Sequence, residues 1–86
     1  MRCYLVCFEK TGTHYDDFYD AIMGYELWAH LAADSWAISC DMTAQEVYED
    51  LWQHMDENDR LIVVQTNEVA AWTNLHCDDN WLHENL

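Results

Sequence analysis

Along residues 2–9, apolar side chains occupy both alternate sets: Tyr4, Val6 and Phe8 on one, Cys3, Leu5 and Cys7 on the other. That is the pattern of a strand covered on two faces. After Lys10-Thr11-Gly12 the period changes. Thr13 stands where a helix N-cap belongs, Asp16 and Asp17 fall in the first turn, and Phe18, Ala21, Ile22 and Tyr25 follow at helical spacing until Gly24. Trp28–Leu31 and Ser35–Cys40 are two short aromatic and aliphatic runs separated by Ala32-Ala33-Asp34, which predicts a hairpin. Thr43-Ala44-Gln45-Glu46 is a capping box that opens a second helix, with Val47, Tyr48, Leu51 and Met55 on its buried stripe and Asp56-Glu57-Asn58-Asp59 closing it. Leu61-Ile62-Val63-Val64 is apolar on both faces and reads as a central strand. A short helical pattern runs through Val69, Ala70, Ala71 and Trp72, and the tail from His76 offers Trp81 and Leu82 for packing.

The order β-α-β-β-α-β with a C-terminal helical tail (residues 75–86) predicts one α+β domain spanning residues 1–86. Its expected plan is ferredoxin-like, a four-stranded antiparallel sheet with both helices on one face. Two helices cover only one face of such a sheet, yet the first and last strands are apolar on both. The tail, a second copy of the chain, or both must cover the remainder, so a sheet-mediated homodimer is expected.

Composition sharpens the functional side. With five Trp, five Tyr and two Phe in 86 residues, the chain can fill a core, which excludes the disordered class. No apolar run is long enough for a membrane span and no secretory leader is read at the start, so the expected location is cytoplasmic. In that compartment Cys3, Cys7, Cys40 and Cys77 are expected as reduced thiols. Three basic residues against 17 acidic ones give a net charge of −14. Nucleic-acid affinity rests on Lys and Arg neutralising phosphates, and only Arg2, Lys10 and Arg60 are present, so direct binding to DNA or RNA is not expected. A basic protein surface, in contrast, would attract this chain through long-range steering.

The segments Tyr4-Leu5-Val6-Cys7-Phe8-Glu9, Tyr15-Asp16-Asp17-Phe18-Tyr19-Asp20-Ala21-Ile22, Asp34-Ser35-Trp36-Ala37-Ile38 and Asn58-Asp59-Arg60-Leu61-Ile62-Val63-Val64 resemble the small SinR-like proteins. These are relatives of the second CRISPR-associated adaptation protein, and the resemblance extends to about Trp72. It implies a ferredoxin-like fold that dimerises through its sheet. In nuclease-competent relatives an Asp ends the first strand, and a pair of them across the dimer holds a divalent metal, Mg²⁺ or Mn²⁺. Glu9 stands at that position here, longer by one methylene, which displaces the carboxylate by about 1.5 Å. The alternative that this resemblance implies is therefore a metal-dependent nuclease built on Glu9, or a non-catalytic structural subunit of a larger assembly. Without that metal no cofactor is expected, and whether the chain is an enzyme stays open on the side of no.

The acidic residues cluster. Asp16, Asp17 and Asp20 on the first helix, and Glu46, Glu49, Asp50 and, a turn beyond Gln53, Asp56 and Glu57 on the second, recur at three- and four-residue intervals with no Lys or Arg among them. Like charges at this spacing each forgo roughly 0.2–0.5 kcal/mol. Carboxylates about 5–6 Å apart on a helix face approach the spacing of successive phosphates on a nucleic-acid strand. These eight residues, with Trp52 beside them as an aromatic anchor, are the candidate partner-binding set. The expected partner is a basic nucleic-acid-binding protein, inhibited by mimicry in the manner of phage-encoded anti-restriction or anti-CRISPR proteins. The same acidic excess marks salt-adapted proteins, which unfold at low salt whereas a mimic stays folded there. His76-Cys77-Asp78-Asp79 with His83 matches no zinc spacing, and Cys40 lacks an activating histidine, so neither a metal site nor a nucleophilic cysteine is expected. Trp81 is a second candidate exposed anchor.

Overall fold

The computed structural model describes residues 1–67 and 71–85. It is a small α+β fold: β1 (Arg2–Glu9), α1 (Asp16–Met23), β2 (Leu27–Ala32), β3 (Ser35–Cys40), α2 (Ala44–Trp52), β4 (Arg60–Gln65) and α3 (Asp79–Asn85). The four strands form one antiparallel sheet in the order β2-β3-β1-β4, compatible with a ferredoxin-like fold. The predicted helical pattern at Val69 and Ala70 lies outside the described residues, and Ala71 and Trp72 are not helical.

The two-faced pattern of β1 has its physical counterpart in two cores. Tyr4, Val6 and Phe8 point to the layer formed by α1 and α2, where they meet Phe18, Ile22, Val47, Leu51, Trp36 and Ile38. Phe8 and Phe18 meet edge to face with ring centres 4.7 Å apart, the geometry the aromatic quadrupole favours. Cys3, on the opposite face, packs with Ala29, Leu31, Ala37 and the α3 residue Leu82, with Leu5, Trp72, Leu75, Cys77 and Trp81 around them. The tail thus covers much of the second face. All four cysteines are free thiols, and burial pushes the Cys3 thiol up from its ordinary value.

Local signals explain the helices. At α2, Glu46 N–H donates to Thr43 Oγ1 at 3.2 Å while Thr43 N–H donates to Glu46 Oε1 at 2.9 Å, so the capping box closes in both directions. Thr43→Ala is expected to lower stability by about 1 kcal/mol, measured by chemical denaturation, with no change in the folded circular dichroism spectrum. α1 starts differently from the sequence expectation: its N-cap is Tyr15, not Thr13, and no side chain caps it. The Tyr15 hydroxyl is instead turned into the β1–α1 loop, accepting from Thr11 N–H at 3.2 Å and Gly12 N–H at 2.9 Å.

β4 departs from expectation in a more consequential way. Although apolar on both faces, it is an edge strand, paired to β1 alone. Leu61 and Val63 pack against the helical core. Ile62 and Val64, on the other face, remain 57% and 45% exposed. Among the described residues, the apolar cluster around Leu82 of α3 takes in β1, β2 and β3 side chains and neither Ile62 nor Val64. No helix among the described residues is long and apolar enough to cross a membrane.

Candidate functional site

Both long helices lie on the same face of the sheet, since Phe18 and Ile22 of α1 and Val47 and Leu51 of α2 enter one core. Their outward positions therefore form a single layer. On it Asp16, Asp17 and Asp20 of α1 and Glu46 and Glu49 of α2 are exposed, and Asp50 is half-buried. Asp16 and Asp17 in the first turn of α1, and Glu46 in that of α2, complement the positive end of the helix dipole. Among the described residues, no salt bridge involves an acidic side chain of either helix.

The acidic set is not uniform in its internal commitments. Glu46 is held by the capping box, and the Thr43 backbone N–H it accepts from lowers its carboxyl below the ordinary value. Asp50 accepts from the Tyr25 hydroxyl at 2.7 Å, and burial together with this carboxylate pushes the phenol far up. Glu49 accepts from Gln45 at 3.0 Å. Asp56 and Glu57 are not on the helix at all: α2 ends at Trp52, and both lie exposed in the turn before β4. The helical rhythm stops earlier because residues 53–58 form a turn whose geometry is set from the far side, by Asp59.

Asp59, read from sequence only as part of the closing of α2, accepts the most hydrogen bonds of any carboxylate among the described residues. It is buried, and it accepts from Thr11 N–H and Thr11 Oγ1, both at 2.7 Å, from the Tyr15 hydroxyl at 2.8 Å and from Asp56 N–H at 2.8 Å. Burial alone would raise its carboxyl, but the donors from Thr11, Asp56 and Tyr15 outweigh it and hold it at about 2. It ties the β1–α1 loop to the α2–β4 turn, so closely that a Cβ built on Gly12 would stand 2.9 Å from Asp56 Oδ2. Asp56 is thereby held beside the β1–α1 loop. No local pattern signals this, because Asp59 and Thr11 are 48 residues apart.

The three basic side chains pair with groups other than the acidic residues of α1 and α2. Lys10 sits over the Tyr19 ring, 2.7 Å from its hydroxyl and 3.9 Å from Asp34. Arg2 donates to the Asp41 carbonyl at 3.3 Å. Arg60 lies 3.4 Å from Glu9 across the β1–β4 pair, both side chains largely exposed. That surface pair adds little stability. It does place a guanidinium against the one carboxylate that the nuclease alternative needs. Among the described residues no group of three His, Cys, Asp or Glu side chains could hold a metal ion.

Of the two Trp side chains expected as exposed anchors, Trp52 is half-buried and stacked on Tyr48 with ring centres 6.1 Å apart, and Trp81 packs into the second core. The most exposed tryptophan is instead Trp28 on β2, at 39%. It belongs to a run of rings along that edge: Trp28 on Trp36 at 5.7 Å, Trp36 stacked on His30 at 4.5 Å, and His30 stacked on His76 at 5.0 Å. An alternating strand exposes one face by default, and only the layout of the helical layer decides which Trp that is.

Comparison with protein-family models, with curated proteins and with solved structures finds no match for this chain.

Proposed function

We propose that this chain is a ferredoxin-like binding protein whose acidic helical layer docks on a positively charged groove of a nucleic-acid-handling protein and occludes it. The observation that carries this reading is the separation of charge. Among the described residues the acidic outward positions of α1 and α2 make no salt bridge, whereas Lys10 and Arg60 pair with Asp34 and Glu9 and Arg2 donates to the Asp41 carbonyl. Asp59 supports the reading by holding Asp56 and Glu57 on a rigid turn, so that the charge is presented on an ordered surface. Opposite charge steers encounter and fixes register. In this mechanism no bond is made or broken. The inhibitor competes for the cations that would otherwise neutralise phosphates.

The structure also dictates how this is tested. Reversing Glu46 or Asp50 would break the α2 cap or the Tyr25 hydrogen bond and confuse folding with binding. Asp20 and Glu49 are exposed and carry no such long-range role. Wild type and an Asp20→Lys/Glu49→Lys variant are to be compared in pull-downs of nucleic-acid-binding proteins, with duplex DNA as competitor. The expected result is capture of a basic effector by wild type, released by DNA and by salt, with affinity in the variant reduced by on the order of tenfold or more at low ionic strength. Capture that is equal for both proteins, or indifferent to salt, would contradict the reading.

A further inference from the structure

A four-stranded open sheet has two edges, and here they are treated differently. The β2 edge is closed. Its pairing with β3 is irregular between His30 and Ala32, and the tail crosses it, with His76 N–H donating to the Leu31 carbonyl at 2.8 Å. Bulges and covering segments are the usual protections against edge-to-edge pairing. Among the described residues the β4 edge has neither. β4 pairs with β1 in unbroken register, and its only charged residue is Arg60 at the start. Between β4 and α2 runs an open groove lined by Ala44, Gln45, Tyr48, Leu61, Ile62 and Val63, with no charged side chain in it. On the reverse face Ile62 and Val64 stand exposed, beyond the reach of α3.

We propose that a second copy of this chain pairs antiparallel with β4 along this edge, Ile62 of each copy opposite Val64 of the other, joining the two sheets into one. Charge selects the occupant. Each copy carries −14, so contact through the helical layers would set carboxylates against carboxylates. Leu61 to Thr66 contains no ionisable side chain, and at its margin Glu9 and Arg60 neutralise each other. This strip is where two such acidic surfaces meet without apposed charge. The register follows from symmetry and pleat. A two-fold axis perpendicular to the sheet keeps like faces together, so paired positions differ by an even number. With Ile62 against Val64, Val63 meets itself on the axis, Leu61 faces Gln65 and Arg60 faces Thr66, so the exposed apolar pair of each copy covers that of the other. With Ile62 against itself, Arg60 would face Val64.

This inference stands independently of the acidic-layer reading, and salt separates the two. Association of like-charged copies tightens as the screening length falls from about 30 Å near 0.01 M to about 3 Å near 1 M salt, while docking on a basic partner weakens. Sedimentation equilibrium of the full chain is expected to show a dimer whose dissociation constant falls with added salt. Ile62→Lys and Val64→Lys, at exposed positions, are each expected to raise that constant at least about tenfold while the circular dichroism spectrum is unchanged. Hydrogen exchange on wild type gives a check that needs no variant: β4 amides should slow as protein concentration rises, and β2 amides should not. A wild-type chain that stays monomeric at high salt and about millimolar concentration overturns the proposal. So does a dimer that survives both lysines, or one that protects β2 instead.

Discussion

Asp59→Asn is expected to lower the thermal midpoint by several degrees or more near neutral pH, and the gap between variant and wild type should close in acid. Four donors converge on this carboxylate, from Thr11 N–H, Thr11 Oγ1, the Tyr15 hydroxyl and Asp56 N–H. An amide of the same shape offers one acceptor oxygen and turns an NH₂ group toward donors, leaving buried polar groups unpaired. The direction with pH follows from linkage. The folded carboxyl is held at about 2, below the ordinary value of 3.8, so its contribution is present above 3.8 and is lost as pH falls through the interval to about 2. Comparing the two proteins isolates this group, because every other carboxylate is common to both. Thermal melts at a series of pH values measure the gap. A constant gap from neutral pH to below pH ~2 would show that folding does not lower the titration of this carboxyl. A functional consequence is attached: without Asp59 the turn bearing Asp56 and Glu57 loses its tie to the β1–α1 loop, so partner binding should weaken in Asp59→Asn even where the chain remains folded.

Leu82→Ala is expected to cost about 2–5 kcal/mol, the range for emptying a buried leucine site. Leu82 is 2% exposed and is the α3 side chain that enters the second core, against Cys3, Ala29, Leu31 and Ala37. Removing everything after Asn74 should do more. It uncovers that core, strips the His76 bond from the β2 edge, and leaves both sheet edges open. The truncated chain should melt earlier, bind a hydrophobic dye and associate through β2 as well as β4. Denaturant titration of Leu82→Ala and dye binding by the truncated chain are the measurements. Stability unchanged in both would mean that the tail does not hold the second face. The tail packs on the second face, one of the covers the sequence pattern called for, and Trp81 lies partly buried there instead of standing as an exposed anchor.

The separate behaviours of the two sheet faces tie these results together. α1 and α2 seal one face and turn their acidic positions outward. α3 seals part of the other and leaves the β4 strip bare. The helical layer is therefore charged, while the β4 strip from Leu61 to Gln65 is uncharged and hydrogen-bond competent at its edge. Proteins that must bind a cationic partner and also self-associate benefit from keeping these two surfaces apart, since the charge that steers the first interaction opposes the second.

Elements with strong local signals were legible from the sequence alone. β1, with its apolar residues on both alternations, is the strand covered on two faces that its pattern predicts. The capping box at Thr43 and the Phe18–Ile22 stripe mark the helices, because N-cap hydrogen bonds and 3.6-residue periodicity are properties of neighbouring residues. The hairpin of β2 and β3 follows for the same reason. The acidity of the helical faces was equally visible, since it needs only the count and spacing of carboxylates.

Other features were decided by contacts between distant residues. β4 has the same two-faced apolar pattern as β1, and no periodicity distinguishes a central strand from an edge strand. Pairing order does, and it places β1 between β3 and β4. Asp59 looks like one more acidic residue until the chain brings Thr11 and Tyr15 to it across 48 and 44 positions. Trp81 is partly buried and Trp28 is exposed because α3 folds under the sheet while β2 lies at its margin. Local sequence determines which face of an element is apolar; only tertiary structure determines what that face meets, because the partner is chosen by the closure of long loops and the packing of the whole chain.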